Sequence, residues 1–180
     1  MPYIKQVTNK RNYRSKSFDY SLDYKKIDFR KNPKLYSIGK GEQGVLMVEP
    51  YKSEILPFWK FKTPEIAEKS ARKIYHLFQT YKRQGDFVGM DMARKFLQMG
   101  YTRSRRYANH ATGKKYMNNP EATSNKKKEA RLRKNILPQE KDWGTNIKAQ
   151  SARIFYEWYL KARNDKKYLA LKIKHQSGEQ

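Results

Sequence analysis

A net charge of +24 on 180 residues, from 41 Lys and Arg against 17 Asp and Glu, is what most restricts the folds open to this chain. Any stable arrangement must keep the excess cations in water or against an anion, because an unpaired buried charge is too costly to hold. The core has to come from the remainder. Hydrophobic residues make up 37% of the chain, with 8 Phe, 14 Tyr and 3 Trp among them. That suffices for one domain, since a chain of this length buries roughly 70% of the surface it exposes when unfolded. The charge is also clustered: residues 1–34 carry a net +7 and residues 101–134 a net +9, together 16 of the 24. Such a field suits nucleic acid, an anionic membrane surface or an acidic protein.

Several classes drop out early. There is no cysteine, which removes disulfide scaffolds, thiol catalysis and Cys-containing zinc sites. The longest apolar run, Val45 to Val48, is far too short for a spanning helix or a signal-peptide core, so a soluble, cytoplasmic chain is expected. No stretch combines a fully basic face with a Leu, Phe and Trp face, so no membrane partner is expected. His76, His110 and His175 are too far apart for a spaced ligand motif and read as surface or capping residues. No metal and no cofactor is inferred.

Residues 1–17 have no apolar periodicity and read as a mobile basic arm, with residues 18–180 as a single domain. Phe18, Tyr20, Leu22 and Tyr24, spaced by two, favour an extended segment. Leu35 to Ile38 and Val45 to Val48 flank the glycine-containing stretch Gly39 to Gly44 and predict a β-hairpin, with helices covering its faces. Thr63-Pro64 is a helix start, and Ala67, Ala71, Ile74, Phe78 and Tyr81 recur at helical spacing up to Gly85. Asp86 can cap a second helix that ends at Gly100, and Thr102 a third, short and basic one. Residues 111–135 read as a long basic loop, and Ala152, Phe155, Tyr156, Tyr159 and Ala162 as the stripe of a helix near 146–163. The segment YLALKIKH forms the last short helix. The fold class expected is α+β, predominantly helical, with an N-terminal β-hairpin or small antiparallel sheet.

Two stretches are distinctive as whole words: GKGEQGVLMVEPYKSEILPFWKFKTPEIA at 39–67 and GDFVGMDMARKFLQMGYTRSRRYANH at 85–110. With NDKKYLALKIKH near the C-terminus, they resemble the uncharacterised family known as domain of unknown function 4385, found in bacteria, their phages and some fungi. The resemblance covers most of residues 18–175 and implies no activity and no catalytic residues. It does imply a His before Trp59, where this chain has Phe58, which argues against any scheme needing an imidazole there.

The densest chemical constellation is Arg94, Lys95, Arg103, Arg105, Arg106, Lys114 and Lys115, with Tyr101, Tyr107, Asn109 and His110 among them. Guanidinium forks match phosphate, and aromatic rings offer bases a stacking face. Lys60 and Lys62 alternate with Trp59 and Phe61 just before the Thr63 cap, where helix N–H groups also favour anions. Trp59, Tyr101, Tyr107 and His110 are the candidate stacking rings, although Trp59, Phe61 and Tyr107 read as core more readily. Gly39 to Gly44 reads as a hairpin turn rather than a phosphate cradle, because neither the Walker pattern nor a following helix is present. The expected function is phosphate-backbone binding of DNA or RNA with low sequence specificity. The first alternative is an enzyme acting on nucleic acid or nucleotides, a metal-dependent hydrolase or nuclease, with Glu42, Glu49, Lys52 and Asp91 as candidate catalytic residues. Asp91 reads more simply as an ion-pair partner of Arg94 or Lys95. The second alternative is an interaction protein for an acidic partner.

Overall fold

A computed structural model describes residues 18–117, 131 and 135–178. The expected basic arm at 1–17 and most of the expected basic loop, residues 118–130 and 132–134, lie outside the described residues. Among the described residues five helices follow in chain order: α1 (Tyr51–Ile55), α2 (Pro64–Gln84), α3 (Phe87–Asn109), α4 (Ile147–Arg163) and α5 (Lys166–Ser177). Short 3-10 turns occupy Pro33–Leu35 and Leu56–Phe58. None of these helices is long and apolar enough to cross a membrane.

Each long helix starts where a side chain can satisfy an orphan amide. Thr63 accepts from Ile66 N at 3.3 Å, Asp86 from Gly89 N, Asn146 from Ala149 N and Asp165 from Tyr168 N. Gly85, at φ 69°, ends α2 in the left-handed conformation that glycine adopts without steric cost. The fold is organised around α3, against which α1, α2, α4 and α5 all pack. Residues 87–97 of α3 are buried without exception, an all-round burial that an amphipathic stripe does not foretell.

The expected hairpin is absent: the described residues contain no β-strand, only an isolated bridge between Tyr116 and Ile136. Residues 41–50 coil through successive turns instead, with Val45 N bonding Glu42 O at 3.1 Å and both Met47 N and Val48 N bonding Gly44 O. The turns satisfy the backbone locally, so no ladder is needed. They also turn the apolar residues inward at intervals of three and four, Val45, Val48, Tyr51 and Ile55 being buried while Leu46 is exposed. Gly44 permits this with φ 83° and a backbone so close to Phe18 that a Cβ would lie 2.4 Å from its ring. The segment expected to be extended at 18–24 belongs to a run of ring contacts, Phe18 to Tyr24 to Phe29 to Tyr36, with centroids 5.5, 5.4 and 6.3 Å apart. The fold is helical, not α+β.

A second correction concerns Gly100 and Thr102, expected to separate two helices. α3 runs through both. Gly100 is there for close packing, because a Cβ would lie 2.2 Å from Phe155 Cδ1 on α4. Thr102 donates its hydroxyl to Glu42 rather than capping a helix. Alanine is a better helix former than glycine by about 1 kcal/mol, so at an open position Gly100→Ala would stabilise the protein. Here it is expected to destabilise by about 1–3 kcal/mol through overpacking, read as a lower urea midpoint at unchanged slope. A stabilised variant would show that α3 and α4 part without cost.

Candidate nucleic-acid interface

The C-terminal half of α3 emerges from the core with Arg103 and Arg106 facing solvent, and three other segments meet it there. The Phe61 ring lies 5.8 Å from Tyr107, which brings Lys60 and Lys62 to the same end as Arg103 and Arg106. Tyr107 in turn packs on Gly113, whose Cβ would sit 2.7 Å from the ring, and so holds the loop bearing Lys114 and Lys115. Lys148, near the start of α4, donates to the carbonyls of Lys62 at 2.9 Å and Phe61 at 3.3 Å and lies over the Phe61 ring. Partial burial and the Lys62 charge push the Lys148 pKa down. Ser70 fixes the approach to α2 by accepting from Lys60 N and donating to Phe58 O.

Lys60, Lys62, Arg103, Arg106, Lys114 and Lys115 are all exposed. The ion pairs among the described residues use none of them. Those pairs draw on Asp23, Asp28, Glu49, Glu54, Glu68, Asp86, Asp91 and Asp165 instead. Acidic side chains at the basic end are engaged otherwise: Glu65 with Thr63, Glu140 with Ala111 N, and Asp142 with the Asn146 side chain. Thr63 occupies one N-terminal donor of α2, and Glu65 sits in its first turn, so that helix end is less open to phosphate than its sequence implies.

Other sequence candidates are placed differently. Arg94 is 7% exposed and bonds Asp91 Oδ1 at 2.9 Å and Gln98 at 2.8 Å, so it belongs to the core and not to a phosphate track. Asp91 is wholly buried and also accepts from Tyr36 and Tyr168. Burial alone would raise its pKa, but Arg94, Lys95 and the two hydroxyls together hold it well below the ordinary carboxylate range. Lys95 is fully buried, and desolvation, partly offset by Asp91, lowers its pKa to about 8. It donates to Gln43 O at 2.6 Å, pinning the turn at 40–44 onto α3. Arg105 is half-buried, held by Trp143 O at 3.2 Å and Asn109 at 2.7 Å. His110, expected at the surface or as a cap, does cap α3, but it is buried and its Nδ1 donates to Pro138 O, which removes it as a stacking ring. Trp59 is half-buried against Phe61, and its indole N–H is without a partner. Tyr107 is 37% exposed, less a core residue than its spacing suggested.

The nuclease-type candidates are held by separate partners. Glu42 accepts from Thr102, while Glu49 pairs with Lys52 at 2.9 Å and accepts from Ser53 N. No group of three His, Cys, Asp or Glu side chains able to hold a metal occurs among the described residues. One constellation the sequence did not suggest lines a cleft of about 690 Å³ beside α2 and α3. There Arg30 forks Glu54 with two bonds of 2.8 Å, Tyr81 donates to Glu54, and Tyr51 donates to Asp86. Both carboxylates are thus served from within the protein. Arg30, Glu54 and Asp86 are too widely spaced in sequence to read as a unit. Lys148 and Trp143 were missed for the same reason.

A family model described as domain of unknown function (DUF4385) matches residues 19–178. No curated protein and no solved structure matches the chain.

Proposed function

We propose that this chain, which belongs to the family described as domain of unknown function 4385, binds nucleic acid through the phosphate backbone with low sequence specificity. The observation that carries this reading is the meeting of four segments at one end of the molecule. There three of them set six exposed cations, unpaired with carboxylates among the described residues, around Phe61 and Tyr107, while Lys148 of the fourth ties the Phe61 segment to α4. Like charges gathered without counterions repel one another, and a polyanion relieves that repulsion. Arg103 and Arg106 are one helical turn apart and present guanidinium forks to a common face, as a track of phosphates requires. The nuclease reading lacks comparable support, because Glu42, Glu49 and Asp91 do not form one group.

Backbone binding by five or six cations releases condensed counterions, so log K against log salt should fall with a slope of about −4 to −6 on duplex DNA. Fluorescence anisotropy of a labelled duplex across a salt series measures it. A slope near zero, or no binding at low salt, would overturn the reading in favour of an acidic protein partner.

A further inference from the structure

Along the flank where α3 meets α4, on the side of α3 turned away from Arg103, aromatic rings lie together with guanidinium groups. Trp143 is 46% exposed although it is the largest apolar side-chain type, and Arg105 lies 5.3 Å from its ring centre. The turn that carries it is held from both sides, Arg105 donating to Trp143 O and Arg153 to Gly144 O at 3.0 Å. One turn back along α3 from Arg105 stands Tyr101, whose ring is 4.8 Å from that of Tyr156, itself 41% exposed. Tyr159 lies 6.2 Å beyond Tyr156, buried under Arg163, and anchors the row to the core rather than offering a face of its own. Glu157 is the lone acidic residue of α4.

We propose that this row receives the bases of a single-stranded nucleic acid, which stack on Trp143 and on the Tyr101–Tyr156 pair while the phosphates pass over the exposed Arg106 of α3 and Arg153 of α4. The inference rests on the backbone-binding reading and sharpens it, because a duplex hides the faces of its bases whereas a single strand exposes them. Ring positions set by packing and by guanidinium contacts need little ordering on binding, so stacking there costs little conformational entropy. Every base has a π-face, so the row adds affinity without reading sequence. The charge around the rings selects a polyanion over an apolar protein surface.

The test compares a labelled oligothymidylate, the corresponding oligouridylate and a mixed-sequence duplex of equal length on the full chain, by anisotropy at fixed salt. The parent is expected to bind at least one of the single strands about tenfold more tightly than the duplex, with quenching of tryptophan fluorescence. Trp143→Ala combined with Tyr156→Ala should weaken that binding by about tenfold or more and leave duplex affinity within about twofold. Trp143→Phe, which keeps a ring, should retain most of the single-strand affinity while losing the quenching. If the two-alanine variant binds single strands as the parent does, or loses single strand and duplex alike, the stacking row is wrong and backbone binding stands. If the parent binds none of the three probes, both readings fall.

Discussion

Asp91→Ala is expected to cost about 3–5 kcal/mol of folding stability, enough to leave a protein of ordinary stability largely unfolded. Asp91 is the carboxylate that faces Arg94 at 2.9 Å and Lys95 at 3.7 Å inside the core, and it accepts from the Tyr36 and Tyr168 hydroxyls. Without it two buried cations lose their counter-charge and two buried hydroxyls lose their acceptor, so the penalty is desolvation left uncompensated rather than the strength of one bond. Urea unfolding followed by circular dichroism measures the loss, and a change below about 1 kcal/mol would contradict this role. The acid limb follows the same logic. The folded carboxyl titrates below its ordinary value of 3.8, so its stabilisation is complete above that pH and fades as the pH falls further. Lys95 has the opposite sign. Its folded pKa of about 8 lies below the ordinary 10.5, so between those values the native state holds fewer protons than the unfolded chain. The cost of burying its charge therefore recedes as pH rises from 8, and Lys95→Met should flatten that rise, measured below pH 10 to avoid tyrosine ionisation.

The sequence made the long helices legible because their signals are local: Thr63-Pro64 and Gly85 bracket α2, and Asp86 opens α3. Its errors came where one residue type serves two purposes. Gly100 has the composition of a helix end and is instead a point of close approach to Phe155, a tertiary contact that no window around residue 100 contains. Val45 to Val48 has strand composition, yet Gly44 at φ 83° bends the chain into turns that bury Val45 and Val48, lay Met47 partly against the core and expose Leu46. At the basic end, the cations of residues 103–106 and 114–115 were evident from composition, and so were Lys60 and Lys62. Their convergence was not, since it depends on Phe61 meeting Tyr107 and on Lys148 reaching Lys62 O across 86 residues of chain. Arg94 looked like its neighbours because charge alone cannot tell a surface arginine from one buried against an aspartate three residues earlier.

Replacing Lys60, Lys62, Arg103 and Arg106 together by Ala should lower affinity for duplex DNA by up to roughly three decades near 0.1 M salt. The fold should not suffer, because all four are exposed and outside the described ion pairs, and removing mutually repelling cations holds or slightly raises the melting temperature. That contrast separates this end of the molecule from the Asp91 cluster, where charge removal acts on stability first. The most direct measurement is the salt slope of duplex binding, taken on the parent and on this variant under the same conditions. Loss of four phosphate contacts should make the slope shallower by about 3 to 4, each contact contributing about 0.9. An unchanged slope with unchanged affinity would place the phosphate contacts elsewhere on the chain and contradict the assignment of this surface.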